Sequence, residues 1–273
     1  MSETVSTPTL LRLSAMWPEV ELVYEDADLL AVNKPAGLLV APDRWDKRNE
    51  ILMGLLADGI AKARPWAVAR GLTYLANAHR LDRFTSGVLL LARNRPALVA
   101  LARQFHDRHP QKRYIALVEG RLPEPPLTVD LPIGAHPAAP GRSVIDRQHG
   151  RPVRTVFTEL ECFRRYSLIQ AEPGSGRLHQ IRVHLKSVGC PLIADSDYGS
   201  GQPLLLSRLK PDYKMKPEGE RPLMSRPALH AEQLIVTQPT TGKLVTITAP
   251  WPKDLTVAVK YLRKFGTGAG PVV

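Results

Sequence analysis

Apolar positions in this chain follow two rhythms, short runs cut by turn formers and stripes at helical spacing. "VELVYEDADLLAVNKPAGLLVAPD" (20 to 43) holds two apolar runs split by an acidic turn and broken at Pro35 and Gly37, which predicts a hairpin or strand-loop-strand. Ile51, Leu52, Leu55, Leu56 and Ile60 recur at helical spacing and predict an amphipathic helix. "GVLLLA" (87 to 92) is a continuous run of strand length. Asn94 as N-cap, Pro96 in the first turn and a face of Leu98, Leu101, Ala102 and Phe105 predict a helix over 94 to 109. "RYIALVEG" (113 to 120) alternates as a strand, and the Pro- and Gly-rich stretch from Leu122 to Arg151 predicts an irregular connection with at most short strands.

Two further strands, "VRTVFTELECF" and "YSLIQAEP", flank the charged turn at 164 and 165. In "GSGRLHQIRVHLKSVG" (174 to 189), Leu178, Ile181, Leu185 and Val188 form a helical stripe, with Arg177, Gln180, Arg182, His184 and Lys186 on the opposite side. Residues 204 to 227 read as a mobile basic loop, and the end as two strands around "TTGK" with a closing helix "KDLTVAVKYLRKF". Strands, mixed helices and strands again, without regular βαβ alternation, predict an α+β fold with a mixed, largely antiparallel central sheet flanked by helices and loops. The expected organisation is a flexible arm over 1 to 18, one domain over 19 to 265 with a basic insertion at about 204 to 227, and a tail over 266 to 273.

Charge narrows the class of partner. The chain has 273 residues, and its 37 Lys plus Arg against 26 Asp plus Glu give a net charge of +11, the footprint of a protein that meets polyphosphate. No apolar run approaches bilayer length and no basic amphipathic anchor is evident, so structured nucleic acid is favoured over a membrane. "MSETVSTPTL" lacks a secretory pattern, and Cys162 and Cys190 lack metal-ligand spacing; a reducing, cytoplasmic setting and a monomer are expected.

Candidate chemistry centres on "HRLDRFTSG" (79 to 87), where Asp82 stands between Arg80 and Arg83 in a loop entering an apolar strand. A surface ion pair beside a turn is the ordinary reading of such a stretch. It does not stand alone: "NKPAG" precedes it, and "QKRYIALVEG", "GRLHQIRVHLKSVGCPLIADSDYG" and "LHAEQL" follow in order. Together these segments resemble the RluA family of pseudouridine synthases, over roughly residues 20 to 252.

The resemblance implies a pseudouridine synthase-like fold with a catalytic cleft across the sheet, and an enzyme that isomerises a uridine in folded ribosomal or transfer RNA without metal or organic cofactor. It makes Asp82 the catalytic residue, and leaves open whether the carboxylate attacks the sugar, adds to uracil or removes a sugar proton. An aspartate acting as nucleophile or base must be ionised, and a dry pocket penalises that charge unless a cation offsets it. The resemblance assigns Arg182 to that ion pair. It places Tyr114 in the active site, where a ring stacked on an extruded base contributes about 1 to 3 kcal/mol and a phenol can move a proton.

By the same resemblance Arg80 fills the gap left by a flipped base, a plain phosphate contact being the alternative, and Leu229 walls the base or packs in the core. Leu81, Arg177, His179 and Gln180 complete the expected substrate-binding set, with Lys34 either touching phosphate or bracing its loop. His79, His179 and His184 share no carboxylate or cysteine in a ligand pattern and read as structural, so no metal is expected.

Ala41 departs from the histidine many family members carry, and the basic insertion is longer than a minimal catalytic domain requires. The small RNA-binding domain some relatives carry in front is not expected here, which leaves target choice to the catalytic domain's loops. Two other classes compete: a non-catalytic RNA-binding or ribosome-assembly protein on the same fold, and a hydrolase, which would require a second carboxylate that these motifs do not supply.

Overall fold

The computed structural model describes residues 9–42, 50–215 and 217–266; all but the first residue of the tail expected over 266 to 273, and the first eight residues of the expected arm, lie outside them. In chain order the elements are β1 (Thr9–Leu11), β2 (Val20–Glu25), β3 (Leu29–Lys34), α1 (Leu52–Ala61), α2 (Pro65–Val68), β4 (Ala76–Asn77), β5 (Ser86–Ala92) and α3 (Arg95–His106). There follow β6 (Gln111–Glu119), β7 (Leu127–Asp130), β8 (Ile133–Ala135), β9 (Ser143–Ile145), β10 (Arg154–Cys162), β11 (Tyr166–Pro173) and α4 (Gln180–Ser187). A 3-10 turn at Leu206–Arg208, β12 (Leu229–Thr237), β13 (Leu244–Thr248) and α5 (Lys253–Phe265) complete the chain. The class is α+β with largely antiparallel pairing, as the pattern predicts.

The chain divides into two compact units, Met1–Lys112 with Ala231–Pro250 and Arg113–His230 with Trp251–Val273. In the first, the strand order is β1-β2-β3-β5-β12, with β13 on β12 and β4 on β5. The arm expected to be loose through residue 18 instead supplies β1, whose Thr9 pairs with Leu22, because Leu11 and Leu13 find buried places. β5 is buried at every position, which is why it reads as an unbroken apolar run rather than an alternation. Ala97 and Leu101 of α3 pack on Leu29, Ala31, Val88, Leu90 and Leu234, and Asn94 caps that helix by accepting from the Ala97 N–H at 2.8 Å.

In the second unit the order is β6-β11-β10-β7. Successive residues of β6 and β11 face opposite helices: Ile115, Leu117 and Leu168 pack with Leu255, Val259 and Leu262 of α5, while Ala116, Val118 and Ile169 pack with Ile181 and Leu185 of α4. Each fully buried Leu or Val contributes about 1.5–3 kcal/mol, so the two helices fix this strand pair from both faces.

Two expectations change here. The basic stretch is anchored at both ends: Leu204 and Met224 are buried in the α5 cluster and hydrogen bonded to each other, and Arg226 pairs with Asp254 at 2.7 Å. The predicted helix over 174 to 189 begins only at Gln180, with residues 174 to 179 forming a loop that ends on His179 at φ 55°.

Candidate active site

Asp82 lies in the loop between β4 and β5. Its backbone carbonyl accepts from the Thr85 N–H at 3.1 Å, closing a turn, and its side chain is half-buried. The next residue ties this loop to "NKPAG": the Gly37 N–H donates to the Arg83 carbonyl at 2.9 Å, and Arg83 Nε donates to the Gly37 carbonyl at 3.1 Å. Lys34, with no exposed surface, donates from Nζ to the carbonyls of Pro35 at 2.8 Å, Leu38 at 2.7 Å and Arg83 at 3.1 Å. Of the two roles open to Lys34, these contacts favour the brace, since a wholly buried ammonium on three carbonyls offers no surface to a phosphate.

Gly87 follows directly. It holds φ +117°, and a Cβ there would sit 2.1 Å from the Ala231 carbonyl oxygen of β12, so only glycine lets the two strands approach behind the Asp82 loop. Leu81 is buried, whereas Arg80 is exposed. His79 stacks on Phe105 with centroids 4.8 Å apart, and its Nε2 accepts from the Leu90 N–H at 2.9 Å. Burial, and then the charge of Lys112, push its pKa down to about 3, so this ring is a neutral structural acceptor.

The remaining candidates lie in the second unit. Tyr114 sits on β6 opposite Ala171 of β11, half-buried against the cluster that holds Ile181 and Leu229. Leu229, 4% exposed, is a core leucine of that cluster, and Arg226 Nη1 donates to its carbonyl at 3.1 Å.

On the polar side of α4, Gln180, Arg182 and His184 are all buried. Gln180 Oε1 accepts from the Ser175 hydroxyl at 2.6 Å and the Arg177 N–H at 3.2 Å, while Nε2 donates to the Arg154 carbonyl and to Thr155 Oγ1, both at 3.1 Å. Through these four internal bonds the amide organises the loop before the helix. His184 Nε2 faces the Leu131 carbonyl at 3.0 Å and must carry the proton; Nδ1 then accepts from the Thr155 hydroxyl at 2.9 Å. Burial lowers the His184 pKa, consistent with that neutral tautomer.

Arg182, 7% exposed, donates from Nε and Nη2 to the two oxygens of Asp195, both at 2.7 Å, and from Nη2 to Asp197 at 2.8 Å. Its guanidinium lies 4.9 Å from the Tyr198 ring centroid. Tyr198 Oη accepts from the Ser143 N–H at 2.8 Å, donates to the Ser143 carbonyl at 3.1 Å, and meets His179 Nδ1 at 2.9 Å. Burial leads the causes that push this phenol up to about 12, so it stays protonated. Asp195, Asp197 and Tyr198 carry no role in the sequence reading; their signal was the acid-rich "ADSDYG" at the end of the third motif. Among the described residues no group of three or more His, Cys, Asp or Glu is placed to hold a metal ion, and no helix is long and apolar enough to cross a membrane.

An RNA pseudouridylate synthase family model matches residues 28–187. Ribosomal large subunit pseudouridine synthase D of Nitrosomonas europaea is 36% identical over 247 residues, a match covering 89% of this chain; the chain spans 65% of that protein's length. An uncharacterized RNA pseudouridine synthase of Bacillus subtilis, YlyB, is 32% identical over 263 residues, covering 96% of this chain and 79% of that protein. Among solved structures, human RNA pseudouridylate synthase domain containing 1 aligns with a TM-score of 0.60 at 28% identity, over 85% of this chain and 84% of that one. Human RNA pseudouridylate synthase domain containing 4 shares the fold, with a TM-score of 0.66 at 24% identity over 89% of this chain and 92% of that one. A buried arginine on α4, a braced aspartate loop and these matches agree with the motif order, and the chain belongs to the RNA pseudouridylate synthase family, in the RluA group.

Proposed function

We propose that this protein isomerises a uridine of ribosomal RNA to pseudouridine, with Asp82, Tyr114 and Arg182 as its catalytic residues. The observation that carries the reading is the family match over residues 28–187, which contains all three. Ribosomal RNA is favoured over transfer RNA by relatives named as ribosomal large subunit synthases, among them the D enzyme of Nitrosomonas europaea and the C enzyme of Salmonella typhi, 33% identical to this chain over 262 residues. The net charge of +11 supports an RNA substrate through phosphate contacts.

The chemistry breaks the bond between sugar C1′ and uracil N1 and forms one between C1′ and C5. The C5 proton leaves to solvent and N1 gains one, so the product is an isomer and no redox partner is required. A base inside a stack is out of reach, so the target uridine is flipped, at a cost of a few kcal/mol that phosphate contacts offset. The exposed Arg80, next to the Asp82 loop, is suited to the backbone or to the vacated stack.

The test is to incubate the protein with transcribed large-subunit ribosomal RNA tritiated at uracil C5. Tritium release that disappears in Asp82→Asn is expected. Free uracil would instead indicate hydrolysis, and RNA binding without release would indicate a non-catalytic protein; either result overturns the proposal.

A further inference from the structure

The quartet Arg142–Asp197–Arg182–Asp195 has a consequence for catalysis that the family motifs do not state. Asp195 has no exposed surface, and its Oδ1 also accepts from the Asp197 N–H at 3.0 Å and the Tyr198 N–H at 3.2 Å. The carboxylate is therefore fixed by the backbone before it grips the arginine. Asp197 is shared: Oδ2 takes Arg182 at 2.8 Å and Oδ1 takes Arg142 at 2.6 Å. With Tyr198 beneath, the guanidinium is held in its plane and against its face.

Two arginines and two aspartates balance, so the quartet supplies no surplus charge. What it supplies is orientation: Nε and Nη2 are held by the two aspartates. A preorganised donor of this kind stabilises developing charge without reorganising during the reaction. We infer that Asp195 is a positioning residue for the reaction, setting the attitude of the Arg182 guanidinium, with Asp197 as its auxiliary and the Arg142 side chain locking Asp197 in turn. This rests on the reading of Arg182 as catalytic.

The experiment compares Asp195→Asn, Asp197→Asn, Arg182→Lys and the double variant Asp195→Asn/Arg182→Lys by tritium release from the same rRNA, with Tm recorded for each. Asparagine keeps the shape and removes the charge-assisted grip. A displaced catalytic group costs up to about 100-fold, so kcat of Asp195→Asn should fall by one to two orders of magnitude with KM for RNA near wild type. Lysine cannot form the bidentate fork. The double variant should therefore be no slower than Arg182→Lys alone, since both changes remove one interaction. Asp197→Asn, which leaves the bidentate pair intact, should show the same kcat-selective loss in milder form, and it decides the matter should Asp195→Asn fail to fold. Wild-type kcat in a folded Asp195→Asn, or losses that multiply in the double variant, would overturn the inference while leaving the isomerase reading intact. Absence of release from the wild type would overturn the reading itself.

Discussion

Replacing Lys34 by methionine separates a brace from a phosphate contact. The methionine retains most of the aliphatic stem and removes three donated bonds, to the carbonyls of Pro35, Leu38 and Arg83 at 2.8, 2.7 and 3.1 Å. A buried acceptor left without its partner costs about 1–3 kcal/mol. Three such acceptors set an upper bound near 9 kcal/mol; relaxation of a loop toward water, and release from burying an ammonium, place the expected loss near the lower end, about 3 kcal/mol. Against a total stability of about 5–15 kcal/mol, that is a large fraction. Urea denaturation should show a lower midpoint with an unchanged m value. The second assay is the salt dependence of RNA binding, measured where the variant is folded. Loss of a phosphate contact would make the slope of log K against log salt shallower by about 1, whereas a lost brace leaves the slope as it was. An unchanged midpoint together with a shallower slope would refute the assignment.

Three further outcomes follow from the same packing. The His79 ring should stay neutral on NMR titration well below pH 5; because its folded pKa of about 3 lies under the unfolded value of 6.5, the unfolded state binds the extra proton between these values. Stability should therefore fall as pH drops through that window, by at most about 1.4 kcal/mol per pH unit from this ring, and a ring titrating near 6.5 would contradict its burial. Gly87→Ala should cost at least about 3 kcal/mol in a denaturant series, since its Cβ would meet the Ala231 carbonyl at 2.1 Å with φ at +117°; a neutral result would mean β5 and β12 are not in that contact. Gln180→Leu should lower stability by about 3 kcal/mol through the buried partners it strands, with RNA affinity in the folded fraction unchanged; an affinity loss without a stability loss would assign Gln180 to the substrate.

How much of this was legible from residue order depends on the range of each interaction. The β2–β3 hairpin, α1, the Asn94-capped α3 and the β10–β11 pair were readable because periodicity, capping and turn chemistry act over a few residues. The motif order pointed to the family without any coordinates, since co-linear segments need no third dimension. Local rules put Gln180, Arg182 and His184 on one side of α4 but do not name their partners: these groups are buried because Thr155, Leu131, Asp195 and Asp197 arrive from elsewhere in the chain to meet them.

The same limit explains the basic stretch, whose lysines and prolines suggest mobility while Leu204, Met224 and Arg226 fasten its two ends to the α5 cluster and Asp254. It also explains Lys34, whose charge suggested RNA until three carbonyls, one of them 49 positions away, enclosed it. Composition and pattern specify which groups must be buried or charged. Which polar groups share a burial is settled when distant strands pack, because a buried donor or ion keeps its place only where folding brings it a partner.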